Sequence, residues 1–191
     1  MDDIRGDAPL TTSKHRHLTG DAAQLGIEAK GGSLISRSVT INRPREELYA
    51  FWRDFSNLTT FMENIQRVDE IDGRTSHWVV LAPGGRTVEW DAAITRDVPG
   101  ECIAWASAEG ADIANSGSVE FRDAGPRGTV ITATIDYAPP AGLLGRAIAK
   151  LFQREPAIQA RRDLRRFKQL METGEVATAA RTRTQLIEET A

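Results

Sequence analysis

The sequence predicts an α+β fold in which a seven-stranded antiparallel sheet surrounds a long C-terminal helix, with two short helices after the first strand. The first observation is a series of short segments with alternating apolar residues between residues 34 and 138, separated by turn residues. The second is the break at Pro139-Pro140, after which apolar residues recur at helical spacing as far as Met171. Because a sheet cannot cover its own apolar face, the helix that arrives last is its expected cover.

The first predicted strand spans residues 34–41 and is rich in β-branched side chains. A short helix is expected next, with Asn42 or Arg43 as its cap, because Pro44 is tolerated in a first helical turn. The apolar residues of this helix recur at spacings of three and four on one face: Leu48, Phe51, Trp52 and Phe55.

A second short helix is predicted directly after the first. Asp54, or else Ser56-Asn57, can accept the free N–H groups at its start. The apolar residues that it carries are Leu58, Phe61 and Met62.

The remaining strands are predicted at residues 65–71, 76–81, 87–98, 102–107, 116–122 and 129–138. Short turns rich in Gly, Pro and Asp connect them, and Asp72-Gly73 is a typical hairpin turn. In the strand 87–98, Trp90 alternates with Glu89 and Asp91, so the tryptophan and the two acids lie on opposite faces. Short connections between consecutive strands indicate an antiparallel meander.

The C-terminal helix carries an apolar stripe in two stretches: Leu144, Ile148 and Leu151, then Ala157, Ala160, Leu164, Phe167 and Met171. Pro156 lies between the stretches, and a proline inside a helix costs about 3 kcal/mol. We therefore expect two helices, or one helix bent near Glu155. Gly174 is a typical C-terminal cap.

These elements predict a folded domain over residues 33–174. Residues 1–32 are polar and glycine-rich without a sustained period, which predicts a mobile N-terminal arm. Residues 175–191 are polar and rich in Thr and Glu, which predicts a flexible tail.

Three features of the composition bear on chemistry and location: the single cysteine, the lack of long apolar stretches and the pair of histidines near the N-terminus. The single cysteine, Cys102, cannot form an internal disulfide and lies in an apolar segment, so we expect a buried and unreactive thiol. The first residues lack the apolar core of a signal peptide, and no window approaches the roughly 18 apolar residues of a membrane span. A cytoplasmic location is expected. His15 and His17 lack a third ligand, so no metal site is predicted.

Residues 39–55, VTINRPREELYAFWRDF, resemble the opening of the polyketide cyclase/dehydrase and coenzyme Q-binding START-like family. Residues 77–78, 85–91, 103–105, 117–121, 128–129 and 163–175 resemble a bacterial subgroup of that family. The resemblance covers about residues 34–176. It implies the helix-grip fold of the SRPBCC superfamily, which START and Bet v 1-like proteins share. It also implies a hydrophobic cavity for a lipid, quinone or polyketide-like ligand, with no cofactor and no fixed catalytic residues.

The cavity would be lined by inward sheet residues and by the apolar stripe of the last helix. The candidate lining residues are Phe61, Met62, Trp78, Trp90, Trp105, Phe121, Ile131, Ile148 and Phe152. Each of these side chains could instead fill an ordinary core. For the set as a whole, the resemblance favours a cavity.

A cyclase or dehydratase would need an acid or base inside that cavity. The candidates are His77 and Asp91, with Glu89 and Arg86 behind them. Alternation places His77 opposite Trp78, and Asp91 opposite Trp90. If the tryptophans point inward, the pattern favours a solvated polar face over a catalytic pair.

The net charge of −3 is unevenly distributed, because residues 146–168 carry +6 and the rest of the chain carries −9. This basic run is typical of a solvated outer helix face. It could also contact an anionic membrane through Arg161, Arg165 and Lys168, since each basic residue near such a surface contributes about 1 kcal/mol. Nucleic-acid binding is not expected, because the acidic remainder opposes it.

The sequence thus favours a protein that binds, transports or sequesters a hydrophobic small molecule between the sheet and the C-terminal helix. Two alternatives remain open. One is a polyketide cyclase or dehydratase that works without a cofactor. The other is a protein-interaction module whose cavity has collapsed.

Overall fold

The computed structural model describes residues 33–82, 85–109, 111, 114–138 and 156–177. The strands are β1 Ser33–Ile41, β2 Ile65–Glu70, β3 Thr75–Ala82, β4 Arg86–Val98, β5 Cys102–Ser107, β6 Ala114–Asp123 and β7 Thr129–Ala138. The α-helices are α1 Arg45–Arg53 and α2 Pro156–Thr173, and 3₁₀ helices span Phe55–Thr60 and Gly125–Arg127. The predicted N-terminal arm, the bend near Glu155, the side chains of Ile148 and Phe152, and residues 178–191 of the predicted tail lie outside the described residues.

The seven strands form one sheet in the order β1-β7-β6-β5-β4-β3-β2, and every neighbouring pair is antiparallel. Each predicted strand agrees with the observed one to within two residues at either end. β1, the first strand of the chain, lies at one edge of the sheet and pairs with β7, the last strand. Ile41 and Thr129, for example, are register partners. The predicted fold class is confirmed: this is an α+β helix-grip fold with short helices after β1 and a C-terminal helix on the sheet.

One detail of the short helices is wrong in the sequence prediction. Pro44, rather than Asn42 or Arg43, is the N-cap of α1, and no side chain caps that end. The reason is tertiary, because the Asn42 N–H donates to Glu172 Oε1 at 2.8 Å and Arg43 Nε donates to the Met171 carbonyl at 2.7 Å.

The second short helix is a 3₁₀ helix rather than an α-helix, and it ends before Phe61 and Met62. Its predicted cap is confirmed, since Asp54 Oδ1 accepts a hydrogen bond from the Ser56 N–H at 3.0 Å. A short 3₁₀ turn is sufficient here because Phe55 and Leu58, its buried residues, already reach the core.

The end of α2 is fixed to the junction between β1 and α1. Lys168 Nζ donates to the Thr40 carbonyl and to Glu172 Oε1, both at 2.7 Å. Gly174 then ends the helix with φ +81, as the sequence predicts, and its N–H donates to the Leu170 carbonyl at 2.8 Å.

Phe167 is the centre of the packing between α2 and the short helices. Its side chain is 0% exposed, and its ring centroid lies 4.8 Å from that of Phe61, 5.0 Å from Trp52 and 5.7 Å from Phe51. These four rings are called the Phe167 cluster below. The cluster fills the space between the C-terminal half of α2 and α1, so that end of the domain is solid core.

Candidate ligand-binding site

Three tryptophans lie on the inner face of the sheet, which is the face that carries the hydrophobic core, with Trp105 opposite Ile94 rather than beside Trp90. Trp78 on β3 pairs with Trp90 on β4, and their rings stack with centroids 6.2 Å apart and planes 10° apart. Trp105 follows on β5, and all three side chains are less than 10% exposed. We call Trp78, Trp90 and Trp105 the tryptophan face.

Phe55 from the 3₁₀ helix packs onto two members of the tryptophan face. Its ring centroid lies 5.4 Å from Trp78 and 5.9 Å from Trp105. The indole N–H of Trp78 donates to the Ser76 hydroxyl at 2.9 Å, which satisfies the polar end of a buried ring. Trp78 is therefore oriented by one hydrogen bond and one aromatic contact.

Gly117 on β6 makes room for Trp105. The two residues are register partners, and a Cβ at position 117 would lie 2.5 Å from Trp105 Cζ2 and 3.0 Å from the Thr134 carbonyl oxygen. Only a residue without a side chain leaves that space. The indole of Trp105 therefore lies directly over the β6 backbone.

The other predicted lining residues divide into two groups. Phe121 and Ile131 are buried on the inner face of β6 and β7, and Met62 is partly buried against the core. Phe61 belongs to the Phe167 cluster and has no ring contact with the tryptophan face within the described residues. The Phe167 cluster and the tryptophan face belong to one hydrophobic core, although their rings do not contact each other directly within the described residues.

His77 and Asp91 meet on the outer face of the sheet. His77 Nδ1 lies 2.7 Å from Asp91 Oδ1, and His77 Nε2 lies 3.5 Å from Glu89 Oε2. The three side chains are between 31% and 54% exposed, and they point away from Trp78 and Trp90 as the alternation predicts. The hydrogen bond with Asp91, more than that with Glu89, raises the pKa of the His77 imidazole. This geometry is that of a solvated ion pair.

Asp163 on α2 is a buried carboxyl group, although it lies within the basic run of residues 146–168. It is 9% exposed and lies one helical turn before Phe167, on the buried side of the helix. Its Oδ1 accepts a hydrogen bond from Gln159 Nε2 at 2.9 Å. Position 163 adjoins the stripe formed by Ala160, Leu164 and Phe167, and that spacing is the signal that could have revealed it.

The basic residues of α2 have different surroundings. Arg161 and Arg165 are exposed, whereas the Lys168 ammonium is bound to Thr40 and Glu172. Arg166 forms an ion pair with Glu63. Membrane contact through Arg161, Arg165 and Lys168 stays a prediction, with Lys168 the least available of the three.

Three further features bear on function among the described residues: the thiol of Cys102, a possible metal site and a possible membrane span. Cys102 is buried, and burial raises the pKa of its thiol to about 11. Within the described ranges, no three His, Cys, Asp or Glu side chains come together in a way that could hold a metal ion. Among the helices of the described residues, none has the length and apolar character that a membrane span requires.

Comparison with known proteins agrees with this architecture. The family model of polyketide cyclase / dehydrase and lipid transport matches residues 41–165. A Deinococcus radiodurans protein of known crystal structure is 41% identical, with 74% of this chain and 99% of that chain covered and a TM-score of 0.61. An uncharacterized 17.2 kDa protein of Streptomyces lincolnensis is 28% identical over 141 residues, which are 73% of this chain and 90% of that protein.

The fold is also that of a known enzyme. The Zhui aromatase/cyclase from a Streptomyces species has a TM-score of 0.59 with 76% of this chain and 99% of that chain covered, at 14% sequence identity. At that identity the likeness shows the fold alone. The match over residues 41–165, together with the sheet and helix arrangement, decides the family. The chain belongs to the polyketide cyclase / dehydrase and lipid transport family, and it has the helix-grip fold.

Proposed function

We propose that this protein binds and carries, or sequesters, a hydrophobic small molecule between the inner face of its sheet and the C-terminal helix. A lipid, a quinone or a polyketide-like molecule would suit such a site. The observation that supports the proposal most is the tryptophan face. Its ring contacts within the described residues come from Phe55 and from the stacked tryptophans, and α2 contributes none.

The physical basis of binding would be burial of apolar surface. An apolar ligand gains roughly 25 cal/mol for each Å² removed from water, so about 300 Å² corresponds to roughly 7 kcal/mol before association costs. Flat indole rings suit a flat or conjugated ligand, because aromatic pairs prefer offset stacking or edge-to-face contact. The rings of Trp78 and Trp90 already stack in this way on each other, and both are buried in the interior where the ligand would lie.

The positions of His77 and Asp91 favour ligand binding over a reaction catalysed by these two residues. His77 and Asp91 bond with each other on the outer face, and the tryptophan face lies on the other side of the sheet. A cyclase or dehydratase reaction in the interior would have to use other groups.

Binding is tested by titrating the purified protein with the neutral apolar fluorophore N-phenyl-1-naphthylamine. We expect saturable one-to-one binding with energy transfer from tryptophan to the probe. The substitution Trp90→Leu should weaken binding about tenfold, because a large aromatic contact is lost. The control Glu89→Ala changes the neighbouring residue on the outer face and should leave the affinity unchanged. Folded wild-type protein that shows no saturable binding would contradict the proposal.

A further inference from the structure

A small cavity lies beside the tryptophan face, between the end of α1, the 3₁₀ helix and the turn that joins β2 to β3. Its volume is about 30 Å³, and its floor is formed by four side chains that are only 5–6% exposed: Phe55, Val68, Ser76 and Ile94. The rim of the cavity is polar and mostly exposed. A space of this size holds one water molecule or one carbonyl group of a ligand, but no ring.

Two residues of the cavity floor also contact the tryptophan face. Phe55 packs on Trp78 and Trp105, with ring centroids 5.4 Å and 5.9 Å from its own. Ser76 lies on the inner face of β3, two residues before Trp78, and its hydroxyl accepts the indole N–H at 2.9 Å. The cavity therefore adjoins the surface that is proposed to hold the ligand.

The hydroxyl of Ser76 has a hydrogen-bonding capacity that its partners within the described residues do not use. A serine hydroxyl carries one donor hydrogen and two acceptor lone pairs. The bond from Trp78 occupies one lone pair, and no described residue accepts a hydrogen bond from Ser76 Oγ. Because a buried donor without an acceptor costs free energy, an acceptor atom placed in the cavity would stabilise the protein.

The charged groups around the mouth of the cavity are bonded to the protein itself. Arg53 Nε donates to Asp97 Oδ2 at 2.7 Å, and Arg74 Nη2 donates to a backbone carbonyl of β4 at 3.1 Å. Asp54 and Asp72 accept hydrogen bonds from backbone N–H groups two or three positions later in the chain. These groups lie at the surface, where water satisfies their remaining capacity, whereas the hydroxyl on the floor is buried and keeps an unused donor.

We propose that Ser76 determines the specificity of the ligand site, and that its hydroxyl donates to an oxygen acceptor, such as the carbonyl group of a ketone, at one end of a hydrophobic ligand. The inference rests on the proposed function, because it assigns the polar contact of that same site. The apolar body of the ligand lies against the tryptophan face, and its oxygen enters the cavity. Trp78 positions the hydroxyl, since its N–H occupies one lone pair and so directs the O–H away from the indole.

The test compares 2-acetonaphthone with 2-isopropenylnaphthalene, which have nearly the same shape and differ in a carbonyl oxygen in place of a methylene group. Equilibrium dialysis should show that the wild type prefers the ketone by about three- to tenfold, the range of one neutral hydrogen bond. Ser76→Ala should abolish this preference, and Ser76→Cys, which has a similar size but a weak donor, should remove most of it. The control Ser118→Ala removes a buried hydroxyl from the outer face and should leave the preference unchanged.

A second measurement needs no variant. The infrared carbonyl stretch of 2-acetonaphthone bound to the wild type should lie at a lower wavenumber than in hexane, because a hydrogen bond weakens the C=O bond. If both naphthalenes bind the wild type equally well, if the preference survives in Ser76→Ala, or if the stretch of the bound ketone equals that in hexane, the role of Ser76 is wrong and the binding function stands. If neither naphthalene binds the folded wild type, the binding function and the role of Ser76 are both wrong.

Discussion

Replacing Phe167 with alanine is expected to lower the free energy of unfolding by about 3–5 kcal/mol, the range for an aromatic ring removed from a core. The side chain is fully buried, and rings from α1 and the segment after the 3₁₀ helix surround it. Its loss would leave a cavity between α2 and α1 that these rigid rings cannot fill. Urea denaturation of the purified variant, followed by circular dichroism, measures the change.

A matched control lies on the same helix. Ile158 is 48% exposed, so Ile158→Ala should change the free energy of unfolding by at most about 0.5 kcal/mol. A loss below 1 kcal/mol for Phe167→Ala would contradict the view that this ring holds the helix to the short helices.

Replacing Gly128 with alanine should cost about 3 kcal/mol or more, since strain and a steric clash combine. The residue has φ +88, and a Cβ there would lie 2.2 Å from the Ile41 carbonyl oxygen and 2.7 Å from Arg43 N. The adjacent Thr129 hydroxyl donates to the Arg43 carbonyl at 2.8 Å, so a shift would also disturb the pairing of β1 with β7. Denaturant unfolding again measures the effect.

Gly125 in the same turn separates the two causes. It has φ +59, but no atom lies within 4 Å of the Cβ that a substitution would add. Gly125→Ala should therefore cost only about 1–2 kcal/mol, from the backbone conformation alone. Equal losses for Gly125→Ala and Gly128→Ala would show that the contact with β1 is unimportant.

The sheet could be predicted from the sequence because its signals are local. Alternation around Trp90 and the turn residues at Asp72-Gly73 place strands and faces without any knowledge of distant contacts. The Asp54 cap is equally local and was predicted. The cap of α1 was not, because Asn42 and Arg43 bond to residues about 130 positions later in the chain.

The candidate site could be predicted only in part for the same reason. Phe61 and Trp90 have similar apolar signals, yet Phe61 packs on Phe167 and Trp90 stacks on Trp78. Which rings meet in this common core depends on where α2 lies, and Lys168 ties α2 to β1 through the carbonyl of Thr40. The burial of Asp163 was not predicted, because a count of charged residues does not distinguish a buried carboxyl group from a solvated one.

If the protein works as proposed, a small hydrophobic molecule is held against the tryptophan face. Native mass spectrometry of the protein purified from cells tests it most directly, with Trp90→Leu purified in parallel. We expect a complex heavier than the 21.0 kDa chain by one small neutral molecule, which is lost on denaturation and depleted in the variant. A wild-type protein that is folded and carries only the mass of the bare chain in every preparation would contradict it.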